Sequence, residues 1–202
     1  MADAIMLVAV TQTTVTFTSV AAQDGWVMES GENSNAGGSI SATDATTSAL
    51  RSGDNNQDRQ YKTVVSFNTS SLPDGATIVS ATLRLRRGSV TGTNPFNTHG
   101  TCFVDVKNGG FGGALALATG DFQAAADAAQ VATMSNAAAN GDWSEGSVNA
   151  TGRGFINKIG NTQFRVYFAT DDNDDNGNDY IGWYSGDNGT AGNRPVLEVV
   201  YQ

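Results

Sequence analysis

The sequence predicts an all-β fold, a jelly-roll-type β-sandwich with long polar loops and one or two short helices. Three observations predict it. The chain of 202 residues contains 24 glycines, and Gly, Asn, Asp and Thr favour turns and strands over helix interiors. Apolar and polar residues alternate in several short segments, as they do in strands that bury one face. Polar connections separate these segments, which is typical of a sandwich.

The N-terminal segment is predicted as an extended strand over residues 4–20 of a single domain, residues 1–202, because no repeat or boundary interrupts the chain. Residues 13–18 alternate, whereas residues 5–10 are apolar on both faces and therefore need cover on both sides. Two arrangements provide that cover. The strand folds into its own sandwich, or it completes the sheet of a neighbouring subunit.

Residues 77–87 carry the clearest strand pattern, and we expect the alternate side chains of Val79, Ala81, Leu83 and Leu85 to point inward. Two segments favour short helices. Residues 121–129 open with an Asp N-cap and are rich in Ala, and residues 149–158 would bury Phe155 and Ile159. Residues 30–48 indicate a long loop or a weak edge strand. Other strands are predicted at residues 24–28, 49–53, 61–67, 101–107, 162–170, 179–185 and 194–201.

The charge and the scarcity of reactive side chains exclude several function classes. A net charge of −9 argues against binding a nucleic-acid backbone, which needs clustered Lys and Arg, and fits binding of cations. His99 is the single His and Cys102 the single Cys, so a Cys-rich zinc site is excluded, and we expect Cys102 to be buried and inert. No apolar run is long enough to span a bilayer, and no export signal precedes the first strand.

An acidic run at residues 171–179 predicts a calcium loop. Its spacing D-x-D-x-N-G, which begins at Asp172, is the first half of the known calcium-binding loop. It is not an EF-hand, because Trp183 stands where the bidentate Glu would be and a strand should follow. The alternative is a solvated acidic loop. The predicted Ca²⁺ ligands are the side chains of Asp172, Asp174, Asn176 and Asp179, with the carbonyl of Asn178 as a further ligand.

Aromatic side chains predict a surface for sugar binding, because Trp and Tyr cover the apolar faces of sugar rings while charged groups bond the hydroxyls. The alternative is that the aromatic residues fill the core. Strand alternation places Ile181 and Trp183 on one face and their neighbours on the other, so both sets cannot be core. No spacing selects an acid–base pair, so we expect no catalysis. The candidate sugar-binding residues are Trp26, Trp183, Tyr184, Tyr180 and Arg84.

Several motifs occur in the order found in one family. They are DGWV at 24–27, YKTVVSFNTSSLPDGATIVSATLRL at 61–85, TQFRVYF at 162–168, YSGD at 184–187 and RPVLEVVY at 194–201. With these motifs, residues 20–202 resemble the DNRLRE-type surface domains. One departure is Asn68, where the family usually has Asp. The resemblance implies a β-sandwich on a secreted or cell-surface protein, with no catalytic residues. Some relatives are similar to the family 96 carbohydrate-binding modules, which bind acidic polysaccharide.

Two functions are consistent with these observations. The first is a non-catalytic, calcium-stabilised extracellular module that binds polysaccharide. The second is a structural subunit of an extracellular filament or surface layer, which binds copies of itself by exchanging the N-terminal strand. An exposed aromatic platform would favour the first, and insertion of the N-terminal strand into a neighbour would favour the second.

Overall fold

Strands dominate residues 11–202, the part of the chain that the computed structural model describes, and the all-β class is confirmed. Short 3₁₀ segments lie at Ala21–Gln23, Phe111–Gly113, Thr119–Phe122 and Ala191–Asn193. The two α-helices are α1 (Pro95–Thr98) and α2 (Ala150–Arg153). The strands are β1 (Thr13–Thr18), β2 (Gly25–Glu29), β3 (Gly37–Ser41), β4 (Leu50–Asp54), β5 (Gln60–Asn68), β6 (Ile78–Thr91), β7 (Cys102–Asn108), β8 (Ala128–Thr133), β9 (Trp143–Ser147), β10 (Asn161–Phe168), β11 (Tyr180–Trp183) and β12 (Val196–Tyr201).

The strands form one antiparallel sheet that curls into a sandwich. β1, β12, β6 and β9 pair side by side in one half. β3, β2, β5, β10, β7 and β8 pair in the other half. β11 and β4 connect the two halves, because β11 pairs with β6 and β4 pairs with β5. The ends of β4, β5 and β11 therefore meet at one place, which becomes the candidate site.

The main core lies between the two halves and is built by period-2 alternation. Ala81, Leu83 and Leu85 of β6 are buried, as the alternation of that strand predicts. Val79 is only half-buried, and Ile78 packs against the core instead, because the pairing register of β6 with β12 shifts at this end. They meet Phe164 and Val166 from β10 in one apolar cluster. Burying a side chain of this size stabilises the fold by about 1.5–3 kcal/mol.

The predicted helix over residues 121–129 is wrong. A 3₁₀ turn ends at Phe122, and the chain then enters β8. The carboxylate of Asp127 accepts hydrogen bonds from Asn108 N at 2.8 Å and from Lys107 Nζ at 2.7 Å. These bonds hold the Ala-rich segment along β7 as a strand, so tertiary contacts override a weak helix propensity.

The second predicted helix forms only as α2. The Asn149 side chain accepts a hydrogen bond from Gly152 N at 2.9 Å and so caps the helix. Beyond α2, Ile156 is buried, whereas Ile159 is 81% exposed. The expectation that Ile159 is buried is therefore wrong, because the helix ends before it could turn this side chain inward.

β1 pairs with β12 of its own chain, with Val15 opposite Val199, and Phe17 enters the core. Residues 5–10, for which donation to a neighbour is the alternative, lie outside the described residues. No helix within residues 11–202 is long and apolar enough to cross a membrane.

Candidate functional site

The acidic loop between β10 and β11 is anchored through Asp179. This residue is 3% exposed, and its Oδ2 accepts a hydrogen bond from Asn173 Nδ2 at 2.9 Å. Its Oδ1 accepts a hydrogen bond from Thr93 N, and its own N–H donates to Asp54 Oδ1 at 3.1 Å. Both carboxylate oxygens of Asp179 are therefore engaged in holding the loop, which leaves little capacity for the predicted ligand role.

Asp172 lies at the centre of a carboxylate cluster, of which the sequence pattern identified every member except Asp58. Burial is the largest cause that raises its pKa, and the charges of Asp171, Asp174 and Asp58 raise that pKa further. Asp58 comes from the turn between β4 and β5, where its Oδ1 accepts a hydrogen bond from Asn176 N at 3.1 Å. None of these four carboxylates forms an ion pair within the described residues. Their mutual repulsion is therefore uncompensated.

The calcium prediction fits this loop in donor chemistry and in charge, since Ca²⁺ prefers carboxylate and carbonyl oxygens. The side chains do not converge. In the part of the chain that the structure describes, no three His, Cys, Asp or Glu side chains are arranged to hold a metal ion. Asn178 Oδ1 accepts a hydrogen bond from Asn56 N at 3.2 Å, and Asn176 is exposed. Asp58 is the residue that sequence reasoning missed, because it lies more than a hundred positions before the loop.

Four side chains from four strands form the second feature, which we call the Arg51 cluster: Arg51, Trp26, Tyr61 and Tyr180. The guanidinium carbon of Arg51 lies 5.3, 5.6 and 4.9 Å from the ring centroids of Trp26, Tyr61 and Tyr180, respectively. The Trp26 and Tyr61 rings meet edge to face at 5.0 Å, and those of Tyr61 and Tyr180 at 5.6 Å. The predicted residues Trp26 and Tyr180 are thus brought together.

Gly53 allows these strands to approach. It lies opposite both Tyr61 and Tyr180 in the pairing of β4 with β5 and β11. Its φ is +128°, and a Cβ there would lie 2.0 Å from the carbonyl oxygen of Asp179. Any larger residue would push β11 away and open the Arg51 cluster.

The Arg51 cluster carries hydrogen-bond donors that lack acceptors. The Nε of Arg51 donates to Ser48 O at 3.1 Å, but its guanidinium forms no ion pair within residues 11–202. The Trp26 Nε1 is buried and has no partner in the same part of the chain. Burial is the main cause that raises the pKa of Tyr61, and Arg51 opposes that rise. A ligand with acceptor oxygens would pair with the guanidinium of Arg51, which is only partly buried.

A scan against protein-family models and a search of curated proteins found no match to this chain. The resemblance to DNRLRE-type surface domains therefore stays a prediction.

The remaining predicted sugar-binding residues lie elsewhere. Trp183 is fully buried in the core, where its Nε1 donates to Ser144 Oγ at 3.2 Å, so it has no exposed face on which a sugar could stack. Arg84 lies on the outer face of β6, 5.1 Å from the Trp143 ring, and forms an ion pair with Glu145 at 2.8 Å. Tyr184 is half-buried beyond β11, its N–H bonded to the carbonyl of Arg86. The alternation that sets Tyr180 and Tyr184 apart from Ile181 and Trp183 is confirmed.

The single His and the single Cys are both buried. His99 is fully buried, with its Nε2 3.4 Å from Asp54 Oδ2. Cys102 is 1% exposed, and burial raises the pKa of its thiol. The prediction that Cys102 is buried is confirmed, and neither side chain is accessible to a substrate at the surface.

Proposed function

We propose that the protein is a non-catalytic, calcium-stabilised surface module that binds an acidic polysaccharide through the Arg51 cluster. The observation that carries this proposal is a guanidinium held among three aromatic rings without a carboxylate partner within the described residues. The resemblance to secreted and cell-surface domains supports an extracellular location.

The residues of the Arg51 cluster match both parts of an acidic sugar, the apolar C–H faces of its ring and its carboxylate. Trp26 and Tyr180 are half-buried, and their rings offer surface to the apolar C–H faces of a sugar ring. The planar guanidinium of Arg51 can donate two parallel hydrogen bonds to a carboxylate. The aromatic rings around Arg51 restrict its rotamers in advance, which lowers the entropy lost on binding.

Calcium has a structural role in this proposal. Tyr180 directly follows Asp179, so the acidic loop and the Arg51 cluster are continuous in the chain. A cation bound near Asp58, Asp172 and Asp174 would neutralise their repulsion and fix the start of β11. It would therefore hold Tyr180 in place, while the sugar contacts only protein side chains.

Arg51→Lys is expected to weaken binding to an acidic polysaccharide by about tenfold, because Lys keeps the charge but loses the planar stacking and the paired donors. The measurement is retardation in native gels that contain a polyuronate or a neutral glucan. The matched control is Trp143→Ala. This change removes an aromatic residue that stacks with Arg84 on the other half of the sandwich, and it should leave retardation unchanged.

Recovered polysaccharide should show no new reducing ends, as expected for a module without catalysis. An unretarded wild-type protein, or equal losses in Arg51→Lys and Trp143→Ala, would contradict the proposed binding site. New reducing ends would contradict its non-catalytic character.

Adding a chelator is expected to lower the melting temperature, because an ion that binds only the folded state stabilises it by about 2.7 kcal/mol at a hundredfold excess over its dissociation constant. Asp174→Ala and Asp58→Asn should each abolish this response. Asp74→Asn removes an exposed carboxylate in another loop and should preserve it. Identical melting of the wild type in chelator and in millimolar calcium would show that the loop is only a solvated acidic segment.

The filament assembled by exchange of the N-terminal strand stays a prediction. β1 pairs within its own chain, and residues 5–10 lie outside the described residues.

A further inference from the structure

Two adjoining cavities lie at the end of the sandwich where β10 begins, and we call this region the basic cleft. They measure about 260 and 310 Å³ and share Gly154, Ile156 and Lys158 in their walls. Arg153 lines the first cavity, and Asp74 and Ile159 line the second. The basic cleft therefore combines two cations and one carboxylate with apolar surface, for a net charge of about one positive unit.

Arg153 and Lys158 are each held by a hydrogen bond to a backbone carbonyl, and each keeps further N–H donors for a ligand. Arg153 Nη1 donates to Val148 O at 3.0 Å, and Lys158 Nζ donates to Ala76 O at 3.0 Å. Neither side chain pairs with a carboxylate among the described residues. In a protein with a net charge of −9, two positioned cations without partners indicate a site for an anionic group.

The exposed side chain of Ile159 favours an anion that is carried by a protein. Ile159 is 81% exposed and lines the second cavity together with Lys158. A protein partner would cover this side chain while its anionic groups meet the cations, since protein–protein contacts combine an apolar centre with a polar rim. A free inorganic anion would use the charges but not the isoleucine.

The complementary surface is the acidic loop of the same chain. The carboxylates of Asp171 and Asp174 accept no hydrogen bond from any described residue, and Asp174 is exposed. The basic cleft precedes the eight residues of β10, and the acidic loop follows them. Eight residues of strand span about 27 Å, so the two surfaces lie at opposite ends of the molecule and cannot meet within it.

We propose that the acidic loop of one copy docks into the basic cleft of a second copy. Asp171 and Asp174 then face Arg153 and Lys158, and Ile159 is covered. Because the two surfaces differ and lie at opposite ends, the contact is head-to-tail and does not close, so copies add in a row. This contact uses no exchanged strand and does not involve the Arg51 cluster. Calcium held by Asp174 would compete with it, so we expect the contact in calcium-free protein.

Sedimentation velocity of the full chain in chelator tests this contact. The wild-type sedimentation coefficient should rise with protein concentration at low ionic strength and fall when salt is added, since salt screens exposed charges. The basic-end variant, Arg153→Gln with Lys158→Gln, and the acidic-end variant, Asp171→Asn with Asp174→Asn, should each associate about tenfold more weakly or not at all. Arg84→Gln with Lys107→Gln removes the same charge from other surfaces and should associate as the wild type does.

Mixing the two variants gives the decisive result. Each retains one intact end, so an equimolar mixture should form 1:1 dimers and nothing larger. A wild type that stays monomeric, a variant that still forms long assemblies alone, or a mixture without dimers while the wild type assembles would overturn the proposal. A monomeric wild type in which added polyuronate perturbs the Ile159 methyl signals would assign the cleft to a glycan and would also overturn it. Melting temperatures close to that of the wild type establish that the variants are folded.

Discussion

Relative to an Asp24→Asn variant, the wild-type protein is expected to lose on the order of 4 kcal/mol of its free energy of unfolding as the pH rises from 3.8 to about 7. Asp24 is 1% exposed, and burial raises its pKa from 3.8 to about 7. Hydrogen bonds that the backbone N–H groups of Ser66 and Gly186 donate to the carboxylate, at 3.0 and 3.1 Å, partly oppose this rise. The carboxylate is therefore costly to ionise in the folded protein.

The direction in which stability changes with pH follows from how many protons each state binds. Between the unfolded and folded pKa values the folded state binds more protons than the unfolded state, so stability falls as the pH rises. Asp24 precedes β2 by one residue, and β2 carries Trp26 of the Arg51 cluster. Sugar binding should therefore weaken together with stability if ionised Asp24 loosens this strand.

Urea unfolding at several pH values measures the effect. In Asp24→Asn the free energy of unfolding should fall less steeply than in the wild type between pH 3.8 and about 7, because only the Asp24 contribution is removed. Asp74→Asn should keep the wild-type slope, because Asp74 is exposed. Parallel curves for the wild type and Asp24→Asn would refute the prediction.

Asp105→Asn is expected to cost about 3–5 kcal/mol, because it removes one partner of a buried ion pair and leaves the other charge uncompensated. Asp105 is 2% exposed and lies 2.6 Å from Arg165 Nη2. It also accepts hydrogen bonds from Tyr167 Oη at 3.1 Å and Gln130 N at 3.0 Å. Arg165 lies on β10, so the pair ties β10 to β7.

The matched control is Asp127→Asn, which breaks the more exposed pair with Lys107 at 2.7 Å. This change should cost at most about 1 kcal/mol. Replacing both Asp105 and Arg165 by apolar residues of similar volume should cost less than Asp105→Asn alone, since no lone buried charge remains. Equal losses for Asp105→Asn and Asp127→Asn in denaturant unfolding would contradict this account.

Most of the strands could be predicted because their signal is local. In β6 the alternation of Ala81, Leu83 and Leu85 with polar residues fixes which face is buried, whatever the neighbouring strands are. β8 and β9 could not be predicted. β8 is rich in Ala, and β9 is short and contains Gly146, so neither has a strong local preference.

The candidate site was only partly predictable. The acidic loop and the residues Trp26 and Tyr180 stand out in the sequence, but Arg51 and Asp58 do not. Arg51 and Tyr61 are brought to Trp26 by strand pairing, and Asp58 is brought to Asp172 by the packing of two loops. Trp183, like Trp26, is a tryptophan in a predicted strand, but it lies in the core.

The sequence by itself determined the fold class, the inward face of the main strands, the burial of Cys102 and the acidity of residues 171–179. These properties depend on residues a few positions apart. Strand alternation predicts which face is buried, and residue composition predicts the fold class and the acidity. Only the tertiary structure decided which aromatic residues are core, which cation enters the Arg51 cluster and which charges lie at opposite ends of β10. Those outcomes depend on pairing between distant segments, and the periodicity within one strand is the same whichever strand lies beside it.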